Sequence, residues 1–378
     1  MIVAYVCADP GIPLLGGKGA SVHMRAITAA LAARGNEVHI LCTRLGEGNA
    51  APTVADVRQC KTDVDIDRAL CELAGSSGID VVLERYSLES GAARRTSERL
   101  ALPLVLEVNA PLVLEAARWR GLEDVDRHLT RERDAFATAD AVIVVSSALV
   151  RYVRATAPEA TISRVPNGAD VDRIAAGAVR PRELDVAGST VIVGFAGSMK
   201  PWHGLHELLD AFASIHIDAV DSMLVLAGGG PEEPALRTRV DGDDRLRGRV
   251  RFVGSLPHDE MPALLASFDL GVAPYSASED FYFSPLKVVE YLAAGLPVVH
   301  PRLGDLTETV GDAGIAYDPA DRNGLTVALD LAQRDAALRQ RCSLAAQSRA
   351  QAFTWDATAA AVEGVADAAI AKRSRAAR

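Results

Sequence analysis

Twice along this chain of 378 residues a short apolar run feeds a glycine-bearing loop that opens a periodic helix, and this repetition restricts the fold more than any other feature. The first instance runs from Ile2–Cys7 through a loop holding Gly11, Gly16, Gly17 and Gly19 into a helix over 20–34 that Gly35 closes. The apolar run 37–42 completes a βαβ unit. The second instance is the strand 191–195, the loop 197–204 and the helix 205–215. Strands at 223–227, 251–254 and 270–273 follow it, with the turn Gly228-Gly229-Gly230-Pro231 between the first two. Further strands fall at 81–83, 104–106 and 141–145. Pro166-Asn167-Gly168 marks a turn and 169–190 mixes Gly, Pro and charge, so we place one domain at 1–170 and another at 171–354. With 49% hydrophobic residues and 5% aromatics, both domains have enough apolar mass for mainly aliphatic cores. The expected fold class is α/β, two doubly wound Rossmann-like sheets with phosphate-suited loops at one edge of the second.

Charge narrows the partners. The net charge is −10, with 22 basic against 25 acidic residues through Asp185 and 18 against 25 after it, so neither half is a surface for nucleic acid. Five cysteines show no C-x-x-C and no regular spacing, which fits a reduced cytoplasm. The N-terminus lacks a signal-peptide pattern and no apolar run reaches membrane-span length. The basic tail 372–378 reads as a solvating terminus rather than a membrane contact. The first glycine loop is neither G-x-G-x-x-G nor a P-loop, since Gly19 stands where Ser or Thr should follow Lys18. Three D-x-D pairs, Asp63-Val64-Asp65, Asp65-Ile66-Asp67 and Asp124-Val125-Asp126, sit in polar helix-like stretches, and the histidines do not cluster at metal-ligand spacing, so no metal site is expected.

The stretch 279–297, EDFYFSPLKVVEYLAAGLP, carries the densest chemistry. Ser284 can cap a helix that has Pro285 in its first turn, and Gly295 stops it. Leu286, Val289 and Leu292 or Ala293 make a buried stripe at helical spacing, with Lys287, Glu290 and Ala294 on the opposite face. A helix start with unpaired N–H groups and a lysine suits a phosphate, and Glu290 two turns in can take two ribose hydroxyls. The alternative is an i, i+3 ion pair between Lys287 and Glu290 on a solvated face.

Glu290 and the run Ala293-Ala294-Gly295-Leu296-Pro297-Val298 resemble the second half of the signature of glycosyltransferase family four, retaining nucleotide-sugar transferases of GT-B fold. The first glutamate of that signature is replaced by Tyr282. The resemblance implies two domains facing a central cleft, with a C-terminal helix, 355–378, packing back on the first domain through an anchor at Trp355. It implies donor contacts at Glu290, Lys287, Ser284, Leu286, Ser198, Tyr282, Phe283 and Gly17, and acceptor-side contacts at Gly16, Lys18 and His23. Ser198 and His203 stand where the family has the arginine and lysine that clamp the donor diphosphate, and Lys200 reads as the replacement. Asn109, at a strand's carboxyl end, takes the place of a histidine that helps hold the donor sugar. Lys200, Asn109 and His203 are thus the catalytic candidates.

The implied activity is metal-independent, retaining transfer of a hexose-type sugar from a UDP or GDP sugar to a small polar acceptor, as in antibiotic biosynthesis, with no cofactor besides the substrate. A lipid-linked acceptor, a sugar-nucleotide epimerase and a catalytically silent binding protein stay open, as does a homodimer. Tyr282, flanked by Phe281 and Phe283, suggests a sugar pocket for a modified sugar, unless Glu279 or Asp280 replaces the missing glutamate.

Overall fold

The computed structural model describes residues 1–48, 51–176, 186–215, 220–276 and 281–376. They form two compact units. The first comprises Met1–Asn167, Tyr282–Ser284 and Trp355–Arg378, the second Gly168–Phe281 and Pro285–Thr354.

In the first unit seven parallel strands, β1 (Ile2–Cys7), β2 (Glu37–Cys42), β3 (Asp56–Gln59), β4 (Val81–Arg85), β5 (Leu104–Val108), β6 (Ala141–Val144) and β7 (Ile162–Arg164), lie in the order β3-β2-β1-β4-β5-β6-β7. The order reverses between β1 and β4, the switch point of a doubly wound sheet. Helices cover both faces, which is why the strands read as unbroken apolar runs. Ala4, Val6, Leu41, Val82, Leu106 and Val144 belong to one core. Tyr5, Cys7, Ile40, Leu83, Val105 and Ile143 belong to the other, where they meet Ala359, Val362, Ala366 and Ala369 of the helix Trp355–Ala376. That alanine spacing lets the helix lie close on the sheet.

The second unit has six parallel strands, β8 (Val191–Ala196), β9 (Ser222–Ala227), β10 (Val250–Gly254), β11 (Leu270–Val272), β12 (Val298–Pro301) and β13 (Gly314–Tyr317), ordered β10-β9-β8-β11-β12-β13. Its switch point lies between β8 and β11. The loop after β8 and the chain that enters the helix Leu286–Ala293 therefore leave the sheet side by side. Both units are thus α/β and Rossmann-like. Periodicity suggests one long helix over 325–349, but the structure divides it into Gly324–Arg334 and Ala336–Ala350, because the Asp335 carboxylate accepts a hydrogen bond from Leu338 N (2.8 Å) and caps the second piece. Among the described residues no helix is long and apolar enough to cross a membrane.

Candidate active site

In the second unit the site starts at the carboxyl end of β8. Gly197 has φ of 143° there, and a Cβ on it would stand 2.9 Å from Lys287 Nζ. Glycine is required twice over, for its backbone and for the space. The lysine comes from the first turn of Leu286–Ala293, whose N-cap is Pro285 with extended backbone and no side-chain cap. Ser284 does not cap the helix, contrary to expectation, because it is engaged by Asn167: the Asn167 amide donates to the Ser284 carbonyl (2.6 Å) and Asn167 N to the Ser284 hydroxyl (3.4 Å). Leu286 is half-buried at the helix's first position.

Lys287 is only 9% exposed rather than on a solvated face. Its ammonium has no hydrogen-bond partner among the described residues. It lies 4.0 Å from the ring centroid of Phe195 and 5.3 Å from that of Tyr275, cation–π contacts that offset part of the desolvation. Burial pushes its pKa down to about 7, against the nearby charge of Glu290, which acts the other way. The alternative reading, an ion pair between Lys287 and Glu290, is not what the structure shows. Glu290 Oε1 instead meets His258 Nε2 at 3.2 Å.

His203 contributes no charge to this site. The ring is buried, and burial, reinforced by Lys287 and Lys200, drives its pKa down to about 3 despite the Ser198 carbonyl facing Nδ1. It is a neutral wedge that donates to Ser198 O and stacks edge-on with Tyr275 (5.3 Å between centroids). Gly204 follows in the left-handed region (φ 62°), where a Cβ would strike Pro274 O at 1.7 Å. Ser198 itself is exposed, and Lys200 is half-buried with Nζ 5.9 Å from the Trp202 ring centroid.

In the first unit the carboxyl end of β5 carries Glu107, which the sequence reading passed over. Its Oε1 lies 2.7 Å from His23 Nε2 and 3.0 Å from Arg85 Nη1, Asn109 Nδ2 donates to it, and Tyr5 donates to Oε2 at 3.2 Å. Burial would raise the Glu107 pKa, but His23, Arg85 and the Asn109 bond outweigh it and hold it at about 2. Asn109 is thus tied to a buried carboxylate. His23 Nδ1 faces Asn167 Oδ1 at 2.8 Å, and Trp355 meets the ring edge-on at 5.5 Å. A carboxylate inside an otherwise apolar parallel strand was the available signal for this network.

The glycine loop is held by Arg25, also unforeseen, whose Nη1 donates to Gly16 O at 2.8 Å. Gly17 and Lys18 are exposed, and Lys18 Nζ lies 3.4 Å from Gly11 O.

Tyr282, Phe283 and Ser284 group with the first unit, apart from Lys287, Glu290, Lys200 and Leu286 in the second. The Tyr282 hydroxyl donates to Glu115, its carbonyl accepts from Ser146 Oγ at 2.7 Å, and its ring packs 4.3 Å from that of Phe283. Its phenol thus meets a carboxylate of the protein in this structure. Glu279 and Asp280 lie outside the described residues. The aspartates of the first two D-x-D pairs have structural tasks: Asp63 pairs with Arg95, Asp65 closes a capping box with Thr62, and Asp67 pairs with Arg99. Among the described residues no group of three His, Cys, Asp or Glu side chains could hold a metal ion.

Comparison with known proteins agrees with this architecture. Residues 17–173 match the family model Glycosyltransferase Family 4, and residues 190–335 match Glycosyl transferases group 1. Glycogen synthase of Mycobacterium tuberculosis is 30% identical over 295 residues, which is 76% of this chain and 68% of that one. The MMP alpha-(1->4)-mannosyltransferase of Mycolicibacterium hassiacum is 29% identical over 328 residues, 81% of this chain and 74% of its own. Among solved structures, sucrose-phosphate synthase of Thermosynechococcus elongatus superposes with a TM-score of 0.75 at 21% identity, covering 100% of this chain and 99% of that one. HepE of Anabaena, in complex with UDP and glucose, gives 0.73 at 20% identity, covering 96% and 98%. At these identities the structures establish the fold, two Rossmann-like domains of GT-B type.

Proposed function

This chain belongs to Glycosyltransferase Family 4, and we propose that it moves a sugar from a UDP or GDP sugar to a small polar acceptor, with retention at the anomeric carbon and without a metal ion. The observation that carries this reading is the Lys287 ammonium, buried and without a hydrogen-bond partner beside Gly197 at the sheet's switch point. A buried cation left unpaired is costly, and a diphosphate is the group that would complete it.

In the proposed reaction the bond between the anomeric carbon and the phosphate oxygen breaks. The acceptor's hydroxyl oxygen bonds to that carbon on the same face, and its proton passes to the departing phosphate oxygen. No protein nucleophile is needed. The protein supplies charge stabilisation as the diphosphate leaves, from Lys287 and, at the loop, Lys200. Losing one such preorganised donor typically costs about 3 kcal/mol of barrier. Glu290 takes the ribose, and Asn109, tied to Glu107, helps to hold the donor sugar.

The test is to incubate the enzyme with UDP and GDP hexoses and a panel of polar acceptors, following the anomeric proton signals. The expected product keeps the donor's anomeric configuration, and nucleoside diphosphate release depends on acceptor and survives EDTA. Inverted product, loss with EDTA that manganese restores, or conversion of donor alone to an epimer would each refute the reading.

A further inference from the structure

Glu290 is held by a histidine 32 residues away along the chain, not by the lysine one turn before it. His258 sits between β10 and the helix Met261–Leu265, with Nε2 at 3.2 Å from Glu290 Oε1. Its other nitrogen, Nδ1, is 2.9 Å from Arg173 Nη2. A guanidinium has only donors, so Nδ1 must accept, and the ring's one proton sits on Nε2, aimed at Glu290. Arg173 is fixed in turn. Its Nε donates to Asp170 Oδ2 (3.1 Å), while Asp170 Oδ1 accepts from Arg173 N (3.2 Å) and caps the short helix Val171–Ala175.

We propose that Arg173 and His258 are positioning residues that hold one oxygen of Glu290 and present the other, Oε2, to the vicinal hydroxyls of the donor's ribose, so that they set the preference for ribonucleotides over deoxyribonucleotides. The proposal rests on the reading of Glu290 as the ribose ligand. Among the described residues Oε2 makes no hydrogen bond, whereas Oε1 is occupied, so the carboxylate can rotate only by breaking the bond to His258. A carboxylate held in this way rewards hydroxyls at one place, and a site built for a hydroxyl rejects the analogue lacking it. Nothing in the sequence marks His258 and Arg173 as partners, because they lie 85 residues apart and meet only through the fold.

The experiment measures binding of UDP, GDP and their 2′-deoxy forms to wild type, His258→Ala, His258→Gln and Arg173→Met by calorimetry. Wild type should prefer the ribose form about tenfold or more, the worth of a hydrogen bond to a charged group. His258→Ala should lose most of that preference by weakening the ribose form alone. His258→Gln should restore it, because the glutamine oxygen can accept from Arg173 while its amide donates to Glu290. A nitrogen NMR spectrum should show the His258 proton on Nε2 in wild type, and Arg173→Met should release that tautomer. A preference unchanged in His258→Ala, equal weakening of both ligand forms, or a proton on Nδ1 in wild type would overturn the proposal while leaving the donor reading intact. Failure of wild type to bind any of the four nucleotides would overturn both.

Discussion

At the scale of single residues two buried charges define this protein, and each predicts a pH response. Glu107 has a folded pKa of about 2, below the ordinary carboxylate value of 4.5, because His23 and Arg85 more than offset the cost of burial. Its contribution to stability is therefore fully present above about pH 4.5 and is lost as pH falls toward 2. We expect Glu107→Gln to be less stable than wild type at pH 7 by roughly 3 kcal/mol, with the gap closing below pH 4, as measured by urea unfolding across that range. Lys287 runs the other way. Its pKa is depressed from 10.5 to about 7, so the folded state holds fewer protons than the unfolded chain between those values, and stability from this group rises with pH across that window. Lys287→Met should be more stable than wild type, most of all below pH 7. A less stable Lys287→Met protein at pH 6 would show that the ammonium has a partner of its own.

At the scale of elements, the helices and strands whose faces are all buried were legible in the sequence, and those that depend on partners were not. β1, β4, β5 and β6 announce themselves because both faces are covered. β3 (DVRQ) and β7 (ISR) are outer strands of the sheet with half-exposed residues and no apolar run, so nothing in them marks a strand. The spacing marks the helix Leu286–Ala293 nearly to its ends but not the surroundings of its polar face. Spacing puts Lys287 opposite the apolar stripe, but that side turns toward Phe195 and Tyr275 instead of water. Periodicity reports which residues share a face, and only the sheet decides what the face meets. The helix Trp355–Ala376 illustrates the same point through size: Ala366 is 4% exposed against the sheet. Ala366→Leu should cost about 1–3 kcal/mol by overpacking, read as a lower denaturation midpoint. An unchanged midpoint would mean that the helix does not pack as described.

At the scale of the whole molecule, neither unit is a continuous stretch of chain. The first unit ends at Asn167, regains Tyr282–Ser284 and then takes Trp355–Arg378. A fragment of residues 1–167 would leave the sheet face that receives Ala359, Val362, Ala366 and Ala369 bare, and we expect it not to unfold cooperatively unless a peptide of residues 355–376 is added. Cooperative unfolding of the fragment alone, with no gain from the peptide, would contradict this. The arrangement also explains what the sequence could and could not say of the site. The family signature points to Glu290, but Glu107, His258 and Arg173 act through contacts between residues far apart in the chain. Tyr282, only five residues before Lys287, falls in the other unit.

The central claim is that Lys287 supplies the cation for the donor's diphosphate. A buried ammonium that deprotonates near pH 7 must regain its proton when the anion arrives, so binding should take up a proton and weaken as pH rises through 7. The measurement is calorimetric titration of wild type, Lys287→Arg and Lys287→Met with UDP and GDP at pH 8, in buffers of different ionisation enthalpy. Wild type should take up a fraction of a proton approaching one, Lys287→Arg should bind without that uptake, and Lys287→Met should bind at least about tenfold more weakly, the loss of one charge-assisted bond. Equal affinity of wild type and Lys287→Met, with the same proton uptake in both, would contradict the account.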